Sequence, residues 1–305
     1  MIVACGEALV DLMPEGVDDA FVYRPVLGGS LYTVALGIAR LGGASGYLWE
    51  LSHDALGRRF AAALDAAGVD CSAVRHGERA TPVAVVDRSG PEPRYNIADP
   101  DRVMHEMNLP PLPTGTRCLQ IGSAVLAHEP VGSAIEVLAR TAPLVSIDVN
   151  ARPPAIRDRA AYRARIDRLA AIAGVIKASV ADIALLGEDD AEGYMRGCVE
   201  AGAAMAVLTA AADGAMAFTR TAEVRVASPC TALVDPVGAG DSFMAAMLFR
   251  LQRDEALSRA RLSRYDEAAL ADLLRYAQIA SAYTCARQGA VMPTQAELAG
   301  DLACH

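Results

Sequence analysis

Short apolar runs alternate with longer amphipathic stretches along most of the chain. The runs Ile2–Cys5, Val83–Asp87, Cys118–Ile121, Leu144–Asp148, Val175–Lys177, Ala206–Thr209 and Ala215–Thr219 have the length and composition of strands. Between most of them lie helix-like stretches of ten or more residues: Leu31–Leu41, Ala55–Ala67, Val131–Arg140, Arg159–Ile172 and Glu192–Ala201. Leu31, Val34, Ala35 and Ile38 follow the i, i+3, i+4, i+7 stripe of a helix buried along one side. Strands alternating with helices predict an α/β protein: a doubly wound, mostly parallel sheet flanked by helices.

Two segments break this alternation. Met13–Leu27 is short, bounded by Pro and Gly, and alternates through Phe21, Tyr23 and Pro25. The stretch from Thr81 to about Met104 reads as a hairpin. Val83–Asp87 leads to a turn at Ser89-Gly90-Pro91 and returns through Arg94-Tyr95-Asn96-Ile97. Such inserted strand pairs form a small lid or an oligomer surface, or are ordinary surface hairpins. Neither a linker nor an internal repeat stands out, so residues 1–305 are expected to form one domain carrying these insertions.

Composition narrows the function. Of the 305 residues, 53% are hydrophobic and 21% charged, which is a globular balance. The net charge of −9 argues against a nucleic-acid partner, which wants a basic face. It leaves room for a local phosphate site built from backbone amides. The N-terminus reaches Glu7 and Asp11 without a basic region, unlike a signal peptide, and no apolar run approaches the ~20 residues of a membrane span. Seven cysteines are scattered with no CxxC pair, so a reduced cytoplasmic protein is expected. The five histidines show no metal-binding spacing, Trp49 reads as packing, and Arg157–Arg168 reads as a solvated helix face.

The densest chemistry lies in Val234-Asp235-Pro236-Val237-Gly238-Ala239-Gly240-Asp241-Ser242-Phe243, read as strand, glycine turn and helix start. Small residues let successive amides converge, and the helix adds its positive end, which makes an anion hole. A carboxylate there would repel a phosphate. Asp241 therefore either caps the helix or takes a proton from a nucleophile that attacks the phosphate. A second glycine pair, Gly28-Gly29, opens the Leu31 helix, with Glu7 and Asp11 close by after the first strand. Carboxyl ends of strands are where α/β sheets gather ligands, so Asp11 and the glycines suit a hydroxyl-rich molecule. Asp148 reads as a strand-end residue or, in the company of Asn150 and Arg152, a functional one. No GxxxxGK[ST] segment exists for a P-loop, and Cys5-Gly6-Glu7 does not supply the dinucleotide fingerprint of a dehydrogenase.

These segments resemble, over essentially the whole chain, the ribokinase-type (PfkB) carbohydrate kinases. Gly28 through Gly42 looks like their N-terminal signature, and Asp235 through Asp241 like their D-T-x-G-A-G-D signature. Asp54-Ala55-Leu56-Gly57 before Gly68-Val69-Asp70, Asp148-Val149-Asn150-Ala151-Arg152, Lys177-Ala178-Ser179 with Asp182, and Cys285–Ala290 with Pro293 follow in the family's order. The resemblance implies a ribokinase-like fold with a β lid at about 13–27 and 81–104, which often makes a homodimer contact. It also implies an ATP- and Mg²⁺-dependent sugar kinase. In it Asp241 would be the general base, and Gly238, Ala239 and Gly240 would present amides to the γ-phosphate. Asp11, Gly28, Gly29 and Thr33 would line the sugar pocket, with Arg152 near both sugar and phosphates. Lys177, Ser179 and Asp182 would face the phosphate–Mg²⁺ side, and Thr209 and Gly214 would form the nucleotide turn. Asp235 with carbonyls around Val237, Thr284, Arg287 and Gly289 resembles a monovalent-cation (K⁺) loop. The chain departs from the pattern at Thr33, usually Asn, at Pro236-Val237, and at Ala211, often Gly. Glu7-Ala8-Leu9-Val10-Asp11 and Lys177 before Ser179 favour a fructokinase-like enzyme, with 2-keto-3-deoxygluconate kinase as the alternative. A sugar- or nucleotide-binding sensor without turnover is the competing class.

Overall fold

A computed structural model describes residues 1–15, 22–87, 94–229 and 232–302. The first half of the chain contains β1 (Ile2–Cys5), β2 (Leu9–Glu15), β3 (Val22–Gly28), α1 (Ser30–Arg40), β4 (Ser45–Leu48), β5 (Glu50–Ser52) and α2 (Ala55–Ala66). It continues through β6 (Arg75–Gly77), β7 (Val83–Asp87), β8 (Arg94–Ala98), β9 (Cys118–Gly122), α3 (Val131–Ala139) and β10 (Val145–Asp148). The second half adds α4 (Arg159–Ala170), β11 (Val175–Ser179), α5 (Val180–Leu185), α6 (Ala191–Ala201), β12 (Met205–Thr209), β13 (Ala215–Phe218) and β14 (Glu223–Val226). It ends with α7 (Ala239–Arg253), α8 (Arg259–Leu262), α9 (Glu267–Cys285) and α10 (Gln295–Leu302).

Eight strands form the main sheet in the order β14-β13-β12-β11-β10-β9-β1-β4. From β4 to β12 they run parallel, and β13 and β14 close one edge antiparallel. The parallel strands read as nearly continuous apolar runs because helices cover both faces. Phe60, Ile135, Ile166 and Met195 of α2, α3, α4 and α6 pack in one cluster, and Ile38, Met244, Leu248 and Leu274 of α1, α7 and α9 in another. This is the doubly wound α/β architecture that the periodicity predicts.

The two interruptions pair with each other in a second sheet, ordered β3-β2-β7-β8. β7 and β8 form the expected antiparallel hairpin, with Val83 opposite Ala98. The expected turn at Ser89-Gly90-Pro91 lies outside the described residues, as do Phe21, Cys230, Cys304 and His305. β2 starts at Leu9 rather than Met13, so Asp11 stands on a strand of the small sheet and not in a loop after β1. Val234-Asp235 is not a strand. Both amides donate to the Cys285 carbonyl, which pins an irregular segment to the end of α9. Arg165 also departs from the solvated-face reading. It is buried, donates to the Leu126 carbonyl at 2.7 Å and pairs with Glu129. Among the described residues no helix is long and apolar enough to cross a membrane.

Candidate active site

The carboxyl ends of β1, β9, β10 and β11 open at the same edge of the main sheet, where an α/β fold gathers its ligands. α1 and α7 approach this edge with their N-termini.

At α7 the chain turns through Gly238, whose φ of 80° is the left-handed region that glycine enters without strain. Gly238 is the N-cap and supplies no side chain, so Asp241, in the third helical position, is not the cap. A helix's first turn leaves amides without acceptors. The Ala239 amide reaches the Pro236 carbonyl and that of Ser242 reaches Gly238. Those of Gly240 and Asp241 have no backbone acceptor among the described residues and face the anion-favouring end of the helix. One carboxylate oxygen of Asp241, Oδ1, accepts a 2.6 Å hydrogen bond from the Ser30 hydroxyl. Burial pushes the Asp241 pKa up, while Ser30, Arg152 and Lys177 pull it down.

At α1 both glycines are demanded by close approach. A Cβ on Gly28 would lie 2.2 Å from Asp11 Oδ2, and one on Gly29 would lie 2.3 Å from the Glu7 carbonyl. The glycine pair thus lets the helix start lie directly on two acidic residues. Glu7 and Asp11 are 2% and 8% exposed, and each has one buried carboxylate oxygen without a hydrogen-bond partner. Buried polar atoms left so are acceptors suited to a ligand's hydroxyls. Burial raises the pKa of each to about 7.

Asn150, with φ of 37°, and Arg152 follow β10. The Arg152 guanidinium lies over the Tyr95 ring of β8, 5.5 Å from its centre, which links the two sheets. Burial opposes the Arg152 charge, yet Tyr95, Asp241, Asp182 and Glu7 around it raise its pKa. Glu7, Asp11, Gly28, Gly29, Thr33, Tyr95, Arg152, Gly238 and Asp241 line one cleft. Of the residues expected around a sugar, all five are there.

The residues expected near phosphate are less uniform. Lys177 is buried and gives its ammonium to both oxygens of Asp148, at 2.8 and 2.9 Å. The same Nζ lies 3.6 Å from where a Gly240 Cβ would be, so it borders the helix start. Ser179 and Asp182 form a capping box for α5, and Asp182 Oδ1 also accepts from the Ala151 amide at 2.7 Å. Thr209 ends β12, and Gly214 (φ 95°) closes the turn that follows it. None of Lys177, Ser179, Asp182, Thr209 and Gly214 lines the cleft. Asp235 is buried and accepts from the amides of Val237 (3.1 Å) and Gly289 (2.9 Å), joining the helix-start loop to the loop after α9.

Ser123 also lines the cleft, and the sequence alone assigns no role to it or to Glu7, Ser30, Tyr95 and Asn150, although Ser30 adjoins the glycine pair and Glu7 stands just beyond a strand's carboxyl end. Tyr95 and Ser123 carry no local signal.

The chain matches the pfkB family carbohydrate kinase over residues 1–297. It is 31% identical over 278 residues to a fructokinase of Rhizobium leguminosarum bv. trifolii, covering 88% of this chain and 85% of that one. A fructokinase double mutant from Vibrio cholerae O395, in its fructose, ADP and potassium ion bound form, superposes with a TM-score of 0.85 at 25% identity. That match covers 99% of this chain and 97% of the other. Aminoimidazole riboside kinase of Salmonella enterica, complexed with aminoimidazole riboside and an ATP analogue, gives 0.83 at 26% identity, covering 99% of each chain. With its fold, its paired glycine turns and these likenesses together, the chain belongs to the pfkB family of carbohydrate kinases and is a phosphotransferase with an alcohol acceptor.

Proposed function

We propose that the protein transfers the γ-phosphoryl group of ATP to a hydroxyl of fructose or a closely related ketose, with Asp241 as general base. The observation that carries this reading is the placement of Asp241. It stands beside helix-start amides that lack acceptors and faces a cleft holding the unpartnered carboxylate oxygens of Glu7 and Asp11. The sugar hydroxyl gives its proton to Asp241, and its oxygen bonds to the γ-phosphorus. The bond from that phosphorus to the bridging β–γ oxygen breaks, releasing ADP. The amides of Gly240 and Asp241, with Lys177 and Arg152, offset the charge on the transferring group. Asp11, Gly28, Gly29 and Thr33 hold the sugar. Ser179, Thr209 and Gly214 face the nucleotide.

A magnesium ion would be carried on the ATP phosphates and not on Asp182, whose two oxygens already accept from Ser179 and Ala151. Such an ion supplies neutralisation of phosphate charge. Asp235 fits the role of tying together a loop whose carbonyls take a potassium ion, as the potassium-bound Vibrio cholerae relative supports.

The cleft favours a neutral ketose over 2-keto-3-deoxygluconate. Among its described lining residues Arg152 is the one cation, set against Glu7, Asp11 and Asp241. Tyr95 and Ile97 bring the small sheet over the cleft as a lid, and its exposed Val22, Tyr23 and Val85 suit pairing with a second copy. The five described cysteines are free thiols, as a cytoplasmic enzyme would have them. The test is ADP release with ATP and Mg²⁺ against fructose, tagatose, ribose, adenosine and 2-keto-3-deoxygluconate. Turnover highest on a neutral ketose supports the assignment. Highest turnover on the sugar acid overturns the substrate, and sugar binding without turnover on any member favours the sensor.

A further inference from the structure

Two polar side chains from separate parts of the chain converge on one oxygen of Asp241. The Asn150 carboxamide donates from Nδ2 to Ser30 Oγ at 2.8 Å and reaches Asp241 Oδ1 at 3.4 Å. Ser30 Oγ stands 2.6 Å from the same Oδ1. An amide nitrogen can only donate, so Asn150 occupies a lone pair of the Ser30 hydroxyl and leaves its single proton for Asp241. Ser30 is the first residue of α1, directly after the glycine pair, and is 7% exposed. Asn150 holds its position with φ of 37°, a conformation that Asn tolerates better than most residues. The short hydroxyl–carboxylate contact has the length of a charge-assisted hydrogen bond.

We infer that Ser30, oriented by Asn150, is a positioning residue for the base: it occupies Oδ1 of Asp241 and leaves Oδ2 as the oxygen that receives the sugar's proton. The inference rests on the reading of Asp241 as base. It adds a coupling between the two signature turns, because the first residue of α1 aims the third residue of α7. The groups whose charges bear on Asp241 are Arg152 and Asp148 from β10 and beyond, Lys177 from β11, Glu7 after β1, Asp11 from β2 and Tyr95 from β8. All of these stay in place when the Ser30 hydroxyl is removed, so a change in proton affinity reports that hydroxyl.

The experiment measures steady-state kinetics with fructose and ATP, and pH profiles of kcat/KM, for Ser30→Ala, Ser30→Thr, Asn150→Gly and Asp241→Asn. Asn150→Gly keeps the positive-φ backbone relaxed while removing the amide. The expected result is a ten- to hundredfold lower kcat in Ser30→Ala, as a misaligned base gives, with sugar KM within about threefold by the same principle. The acid limb of its profile moves to higher pH, because a hydrogen bond to the carboxylate holds its proton affinity down. Ser30→Thr retains the limb, and Asn150→Gly shows a smaller loss in the same direction. Wild-type kcat and limb in Ser30→Ala and Asn150→Gly, with Asp241→Asn inactive, overturn the inference and leave the base assignment standing. An active Asp241→Asn overturns both. If Ser30→Ala does not fold, Asn150→Gly decides alone.

Discussion

The carboxylate of Asp11 lies over the Cα of Gly28, close enough that a methyl group there would meet Oδ2 at 2.2 Å. The two residues are diagonal neighbours in the β2–β3 hairpin that leads into α1, Asp11 standing opposite Val26 and Gly28 opposite Leu9. The glycine is thus required by an acidic partner and not by its own backbone angles. Gly28→Ala displaces Asp11 from the cleft, and the expected outcome is a sugar KM about 10- to 100-fold higher, the worth of hydrogen bonds to a charged group. Fructose titration at saturating ATP checks this; an unchanged KM would show that Asp11 does not hold the sugar.

Glu7 and Asp11 both have pKa values pushed up to about 7 by burial. A carboxyl whose folded pKa is raised stabilises the fold at low pH, and that stability is lost as pH rises through the folded value. Half-buried His128, lowered to about 4, acts in the opposite sense below about 6.5, where an unfolded histidine takes up its proton. The Met1 amino group, held low mainly by burial, opposes the carboxyls up to about pH 8, so wild type is compared with Glu7→Gln over a window of about pH 6.5 to 8. Without sugar, thermal stability is expected to fall across it and to fall less in Glu7→Gln. Equal slopes in the two proteins would contradict the burial argument.

Lys177 and Asp148 form a buried pair, with side chains 4% and 2% exposed. Removing one partner strands the other's charge, at a cost of about 3–5 kcal/mol, whereas replacing both is far milder. Urea unfolding of Lys177→Met, Asp148→Asn and the double variant is expected to show two strong single losses and a double well short of their sum. If Lys177 stands beside the transferred phosphate as proposed, ADP release stays at least tenfold low wherever it is absent. Additive losses in stability would dissolve the pair.

Ala211 opens the turn after β12 with φ of 47°, in the left-handed region that a Cβ disfavours. Glycine removes that strain but adds freedom to the unfolded chain. Ala211→Gly is expected to stabilise by about 0.5–1 kcal/mol on balance. Differential scanning calorimetry reads it as a higher Tm; a lower one would mean that the alanine methyl packs favourably.

Much of this was legible in the residues. Apolar spacing in Leu31–Ile38 and the apolar run Val175–Lys177 report local periodicity, and the core of α1 and β11 follows directly. Paired glycines mark the turns because their reasons, a positive φ or a close neighbour, exclude other side chains. What escaped depends on partners far along the chain. Arg165 sits among helix charges that look solvated, yet its acceptors lie on the segment from Leu126 to Ser133. Ser30 reads as an ordinary helix start until Asp241, 211 residues away, is brought to its hydroxyl. Glu7 looks like one acidic residue among many, and only burial leaves its oxygen needing a ligand. Val234 has the composition of a strand, but α9 offers it a single carbonyl and no edge to join.

The central claim is that Asp241 removes the sugar's proton. Asp241→Asn keeps the side chain's size and can still accept the Ser30 hydrogen bond. Its rate of ADP release should be compared with wild type at saturating fructose, ATP and Mg²⁺, with sugar and nucleotide binding measured by calorimetry. Binding is expected to be retained and turnover to fall about 10²–10⁴-fold, the contribution of a positioned base. Turnover within threefold of wild type would contradict it.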